Sequence, residues 1–134
     1  MIGHYLLFTR NCSEALELYA KAFGVQVVEK QTYGDLPPNP AFPIPEEDKD
    51  LVVQSLIVVE GIEIMCADNV DRCDFGDNMF ISVTLKDLAT LQKTWDVLQE
   101  GGEVYRELAP QHFAAAHGSL RDKFGINWMF TATA

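Results

Sequence analysis

Gly61-Ile62-Glu63-Ile64-Met65 returns near the end of the chain as Gly125-Ile126-Asn127-Trp128-Met129. Each copy opens on a glycine, which permits a tight turn. Each then runs into β-branched and apolar residues that read as a strand. Upstream of the first copy, Leu51 to Val59 is almost continuously apolar, the pattern of a strand buried on both faces. Residues 34–50 hold Pro37, Pro38, Pro40, Pro43 and Pro45, five of the six prolines, followed by Glu46, Glu47, Asp48 and Asp50. Such a stretch joins neither a ladder nor a helix, so it is a loop. Val25 to Tyr33 reads as a strand. Before it, Ala15, Leu18, Tyr19 and Ala22 recur at helical spacing, widened by Leu16 and Phe23. Asn11 and Glu14 stand as an N-cap and its capping box, and Gly24 ends the helix. His4 to Thr9 is the first strand.

The order β-α-β-β-β then repeats. Met79 to Leu85 reads as a strand. Asp87 caps a helix carrying Leu88, Leu91, Trp95 and Leu98, which Gly101 closes. Glu103 to Leu108, His112 to Arg121 and Ile126 to Thr131 supply three more strands. The fold expected is therefore α+β: one domain over 1–134, built of two βαβββ modules spanning about 1–68 and 77–134. Each module buries one sheet face under its helix. The other face must meet something else, and paired curved sheets leave a cavity between them suited to a small molecule.

The formal net charge of −10 over 134 residues argues against nucleic acid, which needs a basic surface. It is compatible with cationic ligands and with plain solubility. Cys12, Cys66 and Cys73 form no CxxC pair and read as reduced thiols. Met1-Ile2-Gly3-His4-Tyr5 has no basic region before its apolar residues, so no secretory signal is expected there. No apolar run reaches membrane-spanning length. The expected location is the cytoplasm, without a membrane partner.

Two runs carry a family resemblance. Phe8-x-x-Asn11-Cys12-x-Glu14-Ala15, with Tyr19, opens the chain; His117-Gly118 leads to Asp122-Lys123-Phe124-Gly125-x-x-Trp128-Met129 near its end. Together they resemble the PhnB-like branch of the vicinal-oxygen-chelate (glyoxalase/bleomycin-resistance/dioxygenase) superfamily, a branch labelled 3-demethylubiquinone 3-methyltransferase-like. The resemblance spans essentially the whole chain. It implies a glyoxalase-like domain of curved mixed sheets, a homodimer, a ligand pocket and, in many relatives, a divalent metal. The methyltransferase label itself finds no support, because neither the length nor the element order offers a nucleotide-binding α/β sheet.

The resemblance also implies where a metal would sit: on His, Glu or Gln of the first and last strand of each module. Those positions fall here on His4, Asn78, Met65 and Met129. A shift of two residues keeps the face and gives Glu63 and Asn127. Thioethers and amides match hard divalent ions poorly. No resident metal or other cofactor is therefore expected, and His4 and Glu63 are the two ligands on offer if a divalent ion does bind. The implied pocket lining is His4, Leu6, Phe8, Glu63, Met65, Asn78, Phe80, Asn127 and Met129. The catalytic candidates are His117 and His4. Asp122 could orient His117 as a general base, or could simply form the turn before Phe124-Gly125. Asp68, Asp71, Asp74 and Asp77 lack the alternate spacing of a calcium loop and read as a solvated loop.

Three functions stay open on this reading: a metal-free pocket that binds or sequesters a small, cationic molecule; a metal-assisted lyase, isomerase or dioxygenase; and a cofactor-free acid–base enzyme using His117.

Overall fold

The structure, a computed structural model, describes residues 1–134. The chain divides into two compact units, Met1–Cys73 and Asp74–Ala134. No helix is long and apolar enough to cross a membrane.

The first unit runs β1 (His4–Thr9), α1 (Cys12–Phe23), β2 (Val27–Thr32), β3 (Val52–Val59) and β4 (Ile62–Asn69). Its strands form one sheet in the order β1-β4-β3-β2, with β1 parallel to β4 and the other pairs antiparallel. The proline-rich segment between β2 and β3 forms no strand. It holds only two short 3-10 turns, Tyr33–Asp35 and Glu46–Asp48. The second unit runs β5 (Ile81–Leu85), α2 (Leu88–Gln99), β6 (Glu103–Gln111), β7 (Ala114–Arg121) and β8 (Asn127–Ala132). Its sheet order, β5-β8-β7-β6, repeats the first, again with one parallel pair. The expected α+β fold of two βαβββ modules is the observed one.

Each helix covers one face of its own sheet. Cys12, Ala15, Leu16, Tyr19 and Ala22 line the buried side of α1, and Tyr19 lies 6.2 Å from the ring of Phe8. Leu91, Thr94, Trp95 and Leu98 do the same for α2; Trp95 meets Phe130 edge-on at 6.1 Å, and Phe130 stacks on Trp128. Asp87 caps α2 as expected, its carboxylate accepting from the amides of Ala89 and Thr90. The Thr90 hydroxyl, which donates to the same carboxylate at 2.7 Å, and then these amides hold the carboxyl below its ordinary range.

The start of α1 differs from the sequence reading. Asn11 makes no side-chain cap. The donor at the helix start is satisfied from across the sheet, where Asp68 accepts from the amides of Cys12 and Val52 at 2.8 Å. Asp68 is therefore a buried end of β4 rather than part of a solvated loop. Gly61 and Gly125, the first residues of the repeated segment, both have positive φ, 76° and 92°. The repeat thus keeps glycine where an L side chain is disfavoured.

Candidate functional site

Strand alternation assigns every side chain to the helix-covered face or the open face. Register fixes the assignment in the first unit. His4 pairs with Ile64, Ile64 with Ile57, and Ile57 with Val27. Ile57 and Ile64 are buried, so this row lies under α1. The adjacent row, Tyr5–Met65–Leu56–Glu29, crosses all four strands on the open face. Tyr5, Leu7 and Met65 on that face are 58%, 41% and 39% exposed, far more than core residues of their size. Tyr5, Glu29, Gln54, Leu56, Glu63 and Met65 border a depression of about 490 Å³.

The second unit has the same geometry. Ser82–Met129–Ser119–Arg106 crosses the open face of its sheet at the equivalent level. The next row is Thr84–Thr131–His117–Ala109. Where the first unit presents Tyr5, Leu7 and Leu56, the second presents Ser82, Thr84 and Ser119. The two faces share a methionine at the same position and differ in chemistry: one is apolar with carboxylates, the other is rich in hydroxyl groups and carries Arg106 and His117.

These placements revise the expected lining. Leu6 and Phe8 lie under α1, and Phe8 is 1% exposed; only Tyr5, Leu7 and Thr9 of β1 reach the open face. His4 shares the helix-side register and sits exposed at the strand end, its Nδ1 3.4 Å from the carbonyl of Glu63. Glu63 and Met65 do face the depression. Met129 lies on the open face of the second unit, half-buried. Asn78 is exposed in the approach to β5, and Phe80 meets Tyr105 edge-on at 5.6 Å. Asn127 is buried and committed: Nδ2 donates to the carbonyls of Gly76 and Met79, and Oδ1 accepts from the Tyr105 hydroxyl. It pins the 76–79 turn and has no donor left for a ligand.

His117 is half-buried, with Nδ1 3.0 Å from the Thr131 hydroxyl and Phe113 edge-on at 5.1 Å. Asp122 does not orient it. The Asp122 carboxylate accepts from the amides of Phe124 and Ile126 and from the Trp128 indole. Those bonds organise the turn between β7 and β8. A catalytic His117–Asp122 pair is thereby excluded, and the turn reading of Asp122 stands.

Side-chain direction also bears on the metal implied by the family resemblance. His4 and Glu63 leave neighbouring strands on opposite faces, so they do not converge on one ion. Within neither unit do three or more His, Cys, Asp or Glu side chains gather. The residues present do not fit a divalent ion within a module. The cysteines offer no nucleophile either. Burial, with the Asp68 charge second, pushes the Cys12 thiol up to about 12, and burial raises Cys66 as well. The helix N-terminus that could lower Cys12 is outweighed.

Sequence reading missed Tyr5, Glu29, Leu56, Arg106 and Phe113. The available signal was parity. Once Phe8 is matched to Tyr19, every odd-numbered residue of β1 belongs to the open face.

Comparison with known proteins places these observations in a family context. Residues 1–131 match the family model described as 3-demethylubiquinone-9 3-methyltransferase. The chain is 26% identical over 135 residues to Protein YjdN of Escherichia coli (strain K12), covering 96% of this chain and 92% of that protein. Among solved structures it is similar to protein PA1353 from Pseudomonas aeruginosa, with 29% identity, a TM-score of 0.83, and coverage of 98% and 96%. It is also similar to a putative 3-demethylubiquinone-9 3-methyltransferase, PhnB protein, from Bacillus cereus, with 23% identity, a TM-score of 0.78 and 98% coverage of both chains. The fosfomycin resistance protein FosX from Listeria monocytogenes shares the fold at 11% identity and a TM-score of 0.65, covering 100% and 93%.

Proposed function

The chain belongs to the PhnB-like, 3-demethylubiquinone-9 3-methyltransferase family of the vicinal-oxygen-chelate superfamily, and on that premise we propose that it is a homodimeric small-molecule-binding protein whose first module takes an organic cation. The observation that carries this reading is the open-face row Tyr5–Met65–Leu56–Glu29, with Glu63 beside it. An aromatic ring, a thioether and two carboxylates border the same depression. Tyrosine faces attract cations through the ring quadrupole, thioethers adapt to aromatic ligands, and carboxylates add charge-assisted attraction. The net charge of −10 enriches cations near the surface.

Methyl transfer forms no part of this proposal. Each module is a mixed four-stranded sheet, whereas methyl-donor binding of the nucleotide type uses a doubly wound parallel sheet. The exposed Tyr5, Leu7 and Met65 supply apolar area for a second copy, which would close the depression into a cavity.

Thermal unfolding with benzyltrimethylammonium tests the proposal. At a hundredfold excess over Kd, binding adds about 2.7 kcal/mol to the unfolding free energy. Glu29→Gln combined with Glu63→Gln is expected to weaken binding about tenfold or more, since each removes a charged partner. Absence of stabilisation by aryl or alkyl ammonium ions, or unchanged affinity in the double variant, sinks the reading.

A further inference from the structure

We propose that the open face of the second module carries a separate site for a small aromatic monocarboxylate, built by Arg106, His117, Gln111 and Phe113. This site is independent of the cation site in the first module and stands whether or not that site binds.

Arg106, Glu107, Gln111, Phe113 and His117 line a depression of about 460 Å³. Acidic residues outnumber basic ones by 20 to 10 in this chain, yet Arg106 joins no ion pair, unlike Arg10 with Asp48 and Arg121 with Glu103. An unpaired guanidinium beside a concave surface presents a fork that matches a carboxylate in two-point geometry. His117 is held from behind: its Nδ1 meets the Thr131 hydroxyl at 3.0 Å, which fixes the ring and leaves Nε2 to a ligand. Phe113 is 57% exposed, although its ring contacts both His112 and His117. It offers a free aromatic surface on which a ligand ring can pack. Gln111 adds an amide that donates as well as accepts.

Glu107 narrows the ligand class. Its carboxylate lines the same depression and opposes a second negative charge, so dianions such as inorganic phosphate are disfavoured. A hydroxyl on the ligand ring would instead find an acceptor there. The aromatic monocarboxylate with a ring hydroxyl follows from these five side chains together.

Backbone geometry supports a built arrangement. A Cβ on Gly118 would lie 2.9 Å from the Leu108 Cα and 3.0 Å from the Arg106 carbonyl. The glycine beside His117 therefore lets β6 close onto β7. The β6–β7 register is irregular over the same residues, and Arg106 and His117 line one depression.

Calorimetric titration of the full chain with 4-hydroxybenzoate, and with inorganic phosphate, provides the test. Saturable binding of 4-hydroxybenzoate at millimolar concentration or below is expected, with phosphate at least tenfold weaker or silent. Arg106→Gln and His117→Gln should each weaken 4-hydroxybenzoate about tenfold, while Glu29→Gln leaves it unchanged. Arg106 is exposed, so its replacement leaves the core intact and circular dichroism confirms the fold. No binding of 4-hydroxybenzoate overturns the proposal. Equal binding of phosphate overturns the ligand class, and binding untouched by Arg106→Gln but lost in Glu29→Gln overturns the location.

Discussion

Asp122 and Asp68 do similar work in the two modules. Each is a buried carboxylate whose oxygens accept from several donors at once. Asp68 ties β3 and the start of α1 to the end of β4. Asp122 ties Phe124, Ile126 and the Trp128 indole into one turn. A carboxylate is well suited to this because it accepts from several donors at once. Cys12 and Cys66 show the reverse effect of burial, which disfavours the thiolate. The folded chain therefore keeps these protons longer than the unfolded chain, whose thiols titrate near 9.0. Their contribution to stability is whole below that pH and is lost as pH climbs toward about 12, where folded Cys12 titrates. The loss amounts to roughly 1 kcal/mol per thiol per pH unit. Urea unfolding between about pH 8.5 and 10 should therefore fall more steeply for the native chain than for a Cys12→Ala/Cys66→Ala variant. Parallel slopes would show that these thiols do not drive the alkaline limb.

At the scale of elements, the proposed site of the second module rests on β6 and β7. β6 is an edge strand and contains Pro110, which an edge tolerates because one side of the ladder is unpaired. The strand runs on to Gln111, past the end at Leu108 that the sequence suggested, and so carries the 106–111 segment alongside His117. The register slips between Arg106 and Ala109, as expected where an extra residue re-aims side chains. Gly118 permits this approach. Gly118→Ala should cost about 1–3 kcal/mol through overpacking and also reduce 4-hydroxybenzoate binding, because β6 must move outward with Arg106. Differential scanning calorimetry paired with the titration checks both effects. A variant that unfolds earlier yet binds normally would place Arg106 outside the site.

For the whole molecule, charge and apolar area pull in opposite directions. Two chains at −10 repel, whereas the exposed Tyr5, Leu7 and Met65 favour association. If the dimer forms through that apolar face, added salt screens the repulsion and should tighten it. Sedimentation equilibrium across ionic strength measures this directly. Weakening with salt would mean that ion pairs, not the open face, hold the copies together.

The sequence by itself determined the architecture. Spacing of apolar residues, helix-ending glycines and the doubled Gly-Ile segment specify two βαβββ modules, because periodicity and backbone permissiveness are local properties. It also offered Glu63 and Met65 as pocket lining and His117 as a catalytic candidate, and these three side chains border depressions on the open faces. Only the tertiary structure decided which strand face each helix covers. A one-residue change of parity moves every side chain to the other side, which is why Tyr5 rather than His4 and Phe8 lines the open face. Tertiary structure likewise decided that Asn127 and Asp122 are spent on structural hydrogen bonds, to backbone groups and to the Tyr105 hydroxyl and Trp128 indole. It also decided that Glu29 and Arg106, unremarkable in sequence, stand at equivalent ends of two rows with opposite charge. Those facts depend on strand register, and register depends on which distant segments pair, information that no local stretch of the chain contains.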